Sequence, residues 1–149
     1  MAVAQLWIVS HLPMSSDCIS VCQAFIEAIN RHSIDDLGAL MSDDHVFVDS
    51  QDRAMSGRDT MLTAWVAYFG MFPDFAIKAD TIVADGSTVA LFGHTSGTFN
   101  GKRGPVPEAR ITMPAAWRAT VSEGKVKLWQ VYADWSEGVK VIEREAQNG

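Results

Sequence analysis

The chain has 149 residues, 48% hydrophobic and 20% charged, which is one domain's worth of a folded globular chain and excludes both disorder and a second ordinary domain. Its 12 Lys and Arg against 18 Asp and Glu give a net charge of −6. No basic stripe exists to neutralise phosphates, so nucleic acid is excluded as a partner.

The opening apolar run, Leu6 to Val9, has no Lys or Arg before it and is too short for a signal-peptide core. No stretch approaches the roughly 20 apolar residues that span a bilayer, so no membrane partner is expected. Residues 1–14 read as an N-terminal arm before a single domain over residues 15–149. Cys18 and Cys22 fall four apart on a helix, a poor disulfide geometry, and further ligands at metal spacing are missing. They read as buried thiols of a reducing compartment, which places the protein in the cytoplasm with no metal.

Cys22, Phe25, Ile26 and Ile29 recur at helical spacing and predict a first helix over residues 17–31. Ser33 and Asp36 have the spacing of a capping box for a short second helix. His45–Asp49 (HVFVD) reads as a buried strand. Ser56 and Asp59 repeat the cap signal before Leu62, Trp65, Val66 and Phe69, and Gly70 and Pro73 close that third helix.

The second half reads as strands. Phe75–Ala84 meets Thr88–Thr98 across Asp85-Gly86-Ser87, a hairpin signal, and Arg110–Val121 meets Lys125–Trp135 across Ser122-Glu123-Gly124. Asn100–Arg110, with two Gly and two Pro, reads as a loop over the mouth of a site, and Ser136–Ala146 as a terminal helix. Helices first and antiparallel strands after make an α+β fold with helices over a curved sheet around one pocket.

Strand alternation picks out candidate site residues. Lys125 and Lys127 set an outward phase, so Val126, Leu128, Gln130, Tyr132 and Asp134 are expected inward, and Trp129 and Trp135 outward against a partner subunit. An inward Asp134 among aromatics suits an acid or base; the alternative is a cap for the following helix. Asp49, ending its strand, is either a site carboxylate or the acceptor for N–H groups of the Ser50–Arg53 turn. His94 lies mid-strand with ambiguous phase, a site group or a core histidine. Trp65, Trp117 and Tyr132, with Phe25 and Met113, are expected to wall a pocket for a small apolar or aromatic molecule.

The stretch VCQAFIEAINRHSIDDLGALMSDDHVFVD, with GHTSGTFNG and WRATVSEGKVKLWQVYADW later, resembles the SnoaL-like polyketide cyclase and ketosteroid isomerase group of the nuclear transport factor 2-like superfamily. The resemblance spans roughly residues 17–136. It implies a cone-shaped, mostly antiparallel sheet wrapped by three helices around a central pocket, and commonly a homodimer through the outer sheet face. It also implies cofactor-free acid–base chemistry, isomerisation or aldol-type cyclisation of an enolisable carbonyl compound. Position by position it gives Asp49 as a proton-shuttling base, Asp134 as an acid–base group and His94 as a cavity histidine. In this chain Asp134 is accordingly expected to remove or relay the proton, with His94 or Asp49 as its partner, and Tyr132 or a Trp N–H to steady the oxyanion. Phe25 and Ala115 stand where the steroid isomerases carry their oxyanion donors, and neither can donate. The Arg and Asp two apart on a strand, used by limonene epoxide hydrolase-like members, are not evident. The alternatives are a non-catalytic small-molecule binding module of the same fold and a scaffold for protein contact.

Overall fold

The computed structural model describes residues 15–148; the expected N-terminal arm lies outside the described residues. The helices are α1 (Ser15–Asn30), α2 (Ile34–Leu40), α3 (Arg58–Met71) and α4 (Ser136–Gln147). The strands are β1 (Met41–Val48), β2 (Ala54–Ser56), β3 (Ala76–Asp85), β4 (Thr88–Thr98), β5 (Arg110–Ser122) and β6 (Lys125–Tyr132). They form one curved sheet in the order β2-β1-β6-β5-β4-β3, antiparallel except where β1 runs parallel to β6. The α+β reading and the three wrapping helices hold, with α4 added after the last strand.

Local chemistry sets most boundaries. Ser33 accepts from the Asp36 N–H at 3.2 Å, so the expected cap starts α2. Before α3 the cap is Gly57, at φ 101°, and not Ser56. That backbone lies in the left-handed region, which a residue with a side chain resists. Cys22, Phe25, Ile26 and Ile29 are buried in the core as their spacing requires, with Leu37 of α2 and Met41 alongside them. Cys18 and Cys22 are free, buried thiols. No helix among the described residues is long and apolar enough to cross a membrane.

Two bulges decide which side chains face the core. Along β5, Met113, Ala115, Trp117, Ala119 and Val121 are buried in strict alternation. β6 starts in phase, Val126 opposite Val121, but the next pair is Leu128 opposite Thr120, so Lys127 is one residue too many. A bulge of this kind reverses the facing of everything beyond it. Trp129 therefore pairs with inward Ala119 and Val131 with inward Trp117. Trp129 is 1% exposed and Tyr132 49% exposed, the reverse of the expectation from Lys125 and Lys127. In β3 the extra residue is Asp80, opposite the stretch around Gly93. A Cβ on Gly93 would lie 1.8 Å from the Lys78 carbonyl oxygen, so the close approach of β3 excludes any side chain there.

The loop after β4 does not cover the mouth of the pocket. It packs on α4, where Arg103 donates to the fully buried Glu145 carboxylate at 2.9–3.1 Å and Arg144 donates to the Glu108 carbonyl at 2.6 Å. These hydrogen bonds from Arg103 hold the Glu145 carboxyl below its usual range, despite desolvation.

Candidate functional site

Between the concave face of the sheet and α3 lies a cavity of about 260 Å³. Its sheet wall is Ile77, Met113, Trp117, Trp129 and Val131, with Phe47 and Thr95, and Trp135 joins it from the start of α4. Its helix wall is Met61, Ala64, Trp65 and Tyr68, three of them one helical turn apart. Aromatic rings fill the seam between the walls: Trp65 meets Tyr68 edge-on at 5.9 Å, Phe69 stacked at 5.2 Å and Phe75 at 6.3 Å. Polar groups gather at one end, in the turn Asp49–Arg53, with Ser50 and Gln51.

Asp49 reaches the cavity because it follows Phe47 by two residues, and Phe47 faces inward opposite Trp129. Its carboxylate accepts from the N–H groups of Gln51 at 2.9 Å and Arg53 at 3.0 Å, and from the Arg53 Nε at 2.8 Å. Partial burial pushes its pKa up, but the two backbone donors and the guanidinium outweigh that and hold it below the usual carboxylate range. Asp49 thus completes the turn and also lines the cavity. Asp49 is the one carboxylate among the lining residues.

Two candidates lie elsewhere. Asp134 falls in the reversed phase beyond the Lys127 bulge; it is exposed and accepts from the Ser136 N–H at 3.0 Å, at the start of α4. Hydrogen bonds from Ser136 hold its pKa low. That is the capping alternative, and the inward carboxylate is corrected. His94 points to the outer face beside Asp80, Nδ1 to carboxylate 3.6 Å, with its side chain 55% exposed. Leu91, Gly93 and Thr95 take the inward phase of β4, which puts His94 outward; Thr95, its neighbour, lines the cavity instead.

Of the expected wall, Trp65, Met113 and Trp117 line the cavity. Tyr132 does not, because of the bulge. Phe25 is buried but lies behind the wall, 4.9 Å from the Trp129 ring and outside the lining. Trp129 and Trp135, expected outside, are lining residues. Trp135 fits because Gly138 leaves its ring room: a Cβ there would come within 2.8 Å of it. Tyr68 was missed; its place nearly three turns into α3, three residues after Trp65, was the available signal. Among the described residues no group of three His, Cys, Asp or Glu is placed to hold a metal ion.

Among the described residues two buried side-chain polar atoms have no hydrogen-bond partner, Trp65 Nε1 and His45 Nε2. His45 is fully buried, 6.0 Å from the Phe25 ring, and its Nδ1 lies 2.7 Å from the Val126 carbonyl, so Nδ1 carries the proton and donates. Desolvation lowers its pKa, against the opposing pull of the Val126 carbonyl and Asp44. The unfolded chain therefore binds this proton more readily than the folded one. Stability should be full above about pH 6.5 and fall as pH drops below it, by up to about 1.4 kcal/mol per pH unit. The depressed carboxylates titrate below about pH 4.5, a separate window. Urea midpoints between pH 5 and 7 check this: His45→Phe should flatten the slope, and an unchanged slope would assign the effect to another group.

No curated protein sequence matches the chain significantly. Solved structures do. An LEH-like epoxide hydrolase from M. tuberculosis is 22% identical, with TM-score 0.73 over 89% of this chain and 94% of that one. A protein with a ketosteroid isomerase-like fold from Catenulispora acidiphila, in complex with trimethylamine, is 17% identical, with TM-score 0.69 over 85% and 92%. A protein of unknown function from Cytophaga hutchinsonii, described as nuclear transport factor 2-like, is 16% identical, with TM-score 0.63 over 82% and 94%. These likenesses show the fold, a curved sheet wrapped by helices around a pocket. The family model for the SnoaL-like domain matches residues 22–129, a span that runs from the core face of α1 to Trp129 in the cavity wall, and the chain belongs to that family.

Proposed function

We propose that this chain is a cofactor-independent enzyme that moves a proton on a small, flat, enolisable carbonyl compound, with isomerisation or aldol-type cyclisation as the reaction class. The observation that carries the reading is one carboxylate, Asp49, set at the polar end of an otherwise aromatic cavity. In the step, the Cα–H bond of the substrate breaks and its proton goes to an Asp49 carboxylate oxygen. The electron pair forms the C=C bond of an enolate, whose oxygen takes the negative charge. Return of the proton to another carbon completes an isomerisation; in a cyclisation the enolate carbon attacks a second carbonyl, whose π pair moves to its oxygen, and that alkoxide takes the proton back from Asp49. The cavity is smaller than the roughly 300–1,000 Å³ of drug-sized sites, which suits a compact ring system.

The test needs no knowledge of the natural substrate. In deuterium oxide, the protein should accelerate exchange of the α-protons of 1-tetralone, followed by NMR. The second reading, a binding module, is favoured by one fact: Asp49 is already engaged by Arg53 and two N–H groups. Saturable tetralone binding without accelerated exchange would decide for that reading.

We also propose a homodimer through the outer sheet face, with different anchors from those first expected. Trp129 is buried within its own fold and cannot serve. On the outer face Phe92 stands opposite Ala116 and Ala116 opposite Tyr132, an apolar row across three strands in which Phe92 is 47% and Tyr132 49% exposed. Exposed aromatic rows of this kind mark contact surfaces. Sedimentation should give a dimer that Phe92→Asp with Tyr132→Asp converts to a folded monomer; a wild-type monomer at all concentrations would refute it.

A further inference from the structure

Gly138 is the third residue of α4, inside the first helical turn and buried. Glycine is the poorest helix former after proline, so its presence there calls for a reason. The reason is the Trp135 ring. A Cβ on Gly138 would lie 2.8 Å from Cε3 and 2.9 Å from both Cδ2 and Cε2 of that indole. A point nearly equidistant from three atoms of one six-membered ring stands over the centre of the ring, so Gly138 covers one indole face. The opposite face and the ring edges are what Trp135 gives to the cavity it lines. Phe72 braces the ring from 6.1 Å at an interplanar angle of 64°. Trp135 is also an unusual N-cap for α4: it makes no capping hydrogen bond, and the Asp134 carboxylate accepts from the Ser136 N–H instead. Strand pairing sets where this ring lies. β1 runs parallel to β6 with Phe47 beside Trp129 and Val48 beside Gln130, which brings Asp49 level with Val131. Val131, Ala133 and Trp135 lead on in the same direction, all three in the lining. The ring and the one lining carboxylate therefore share an end of the cavity.

We infer that the uncovered face of Trp135 is the platform on which the ligand's ring stacks, and that Gly138 is the positioning residue that seats it. The ligand class narrows to aryl or polycyclic ketones whose ring is flat and conjugated. Such a ring lies against the whole indole face, in the offset-stacked arrangement that aromatic pairs favour. A puckered, saturated ring of the same skeleton touches the platform at only a few atoms and forfeits part of the contact. This deepens the proposed function and rests on it for what happens to the bound ketone; the selectivity for flat rings needs no turnover.

The experiment compares 2-acetylnaphthalene with trans-2-acetyldecalin, two methyl ketones on one skeleton, the first flat and the second puckered. Calorimetry gives the ratio of their affinities, and proton NMR follows the bound naphthalene ring. Trp135→Leu should lower the flat-to-puckered ratio by about three- to tenfold. It should also remove most of the upfield shift that the indole ring current gives the naphthalene protons. Trp135→Phe should keep part of both effects. Gly138→Ala leaves the indole in the protein but pushes it off its seat, and should lower the ratio in the same direction. Affinity for the decalin ketone is the control for an intact cavity; should Trp135→Leu disturb it, Trp135→Phe and Gly138→Ala decide. A ratio that neither Trp135→Leu nor Gly138→Ala changes would overturn the inference, as would an upfield shift that survives in Trp135→Leu. A ratio that responds as expected, with no exchange of tetralone protons, would sink the base assignment and leave the platform standing.

Discussion

Asp49→Asn should slow α-proton exchange by about 10²–10⁴-fold, the usual contribution of a positioned general base, while the fold and ligand affinity change little. An asparagine side-chain oxygen can still accept from the N–H groups of Gln51 and Arg53, so the turn survives. The ion pair is lost, but the Arg53 side chain is 74% exposed, and such pairs contribute about 0–1 kcal/mol. The pH profile tests the assignment independently. The backbone donors and the Arg53 guanidinium hold the Asp49 pKa below the usual range, so the basic form persists on acidification. Exchange should be flat from neutrality down to about pH 4 and decline only below it. Arg53→Met removes one source of that depression and should move the acid limb upward, to higher pH, with a stronger base on the plateau. An acid limb between pH 6 and 7 in wild type would remove Asp49 from the mechanism.

Trp129→Ala should destabilise the domain by about 3–5 kcal/mol, the range for emptying a large aromatic from a core. At this chain length that lowers Tm by roughly 2–4 °C for each kcal/mol. The ring is 1% exposed and sits between Phe25, 4.9 Å away and tilted by 59°, and Trp117, 6.3 Å away and nearly stacked. Its removal opens the cavity wall towards α1, a space that the strands on either side cannot collapse to fill. Urea unfolding of the monomer unit measures the loss. A residue at a subunit contact would behave differently, weakening association and leaving the folding free energy of a monomer nearly unchanged. A loss under about 1 kcal/mol would mean that Trp129 is not the core residue described.

The alternation of β5 was legible, because the extra residue of the β5–β6 bulge falls on β6 and leaves Met113 to Val121 in unbroken alternation. The α1 stripe, the Ser33 cap and both hairpins were legible for the same reason: each is a local pattern, a period or a turn whose meaning needs only its own neighbours. Asp49 was legible as a turn acceptor, since an Asp bonds backbone N–H groups two to four residues on wherever it begins a turn.

What the sequence by itself determined was therefore the class of fold, the order of its elements apart from the short β2, and the inward faces of α1 and β5. The tertiary structure alone decided the membership of the site. One extra residue at Lys127 reverses the facing of β6, exchanging Tyr132 and Asp134 for Trp129, Val131 and Trp135 in the wall. A bulge adds a residue on one strand only in relation to its partner, so it has no signature in either strand read alone. His94 and Thr95 differ by one step of the same alternation, in a strand apolar on both faces, and only the packing of α1 and the pairing with β3 distinguish them. The orphaned nitrogens among the described residues, Trp65 Nε1 and His45 Nε2, were equally invisible, because the lack of a hydrogen bond is a property of the space around an atom and not of its place in the chain.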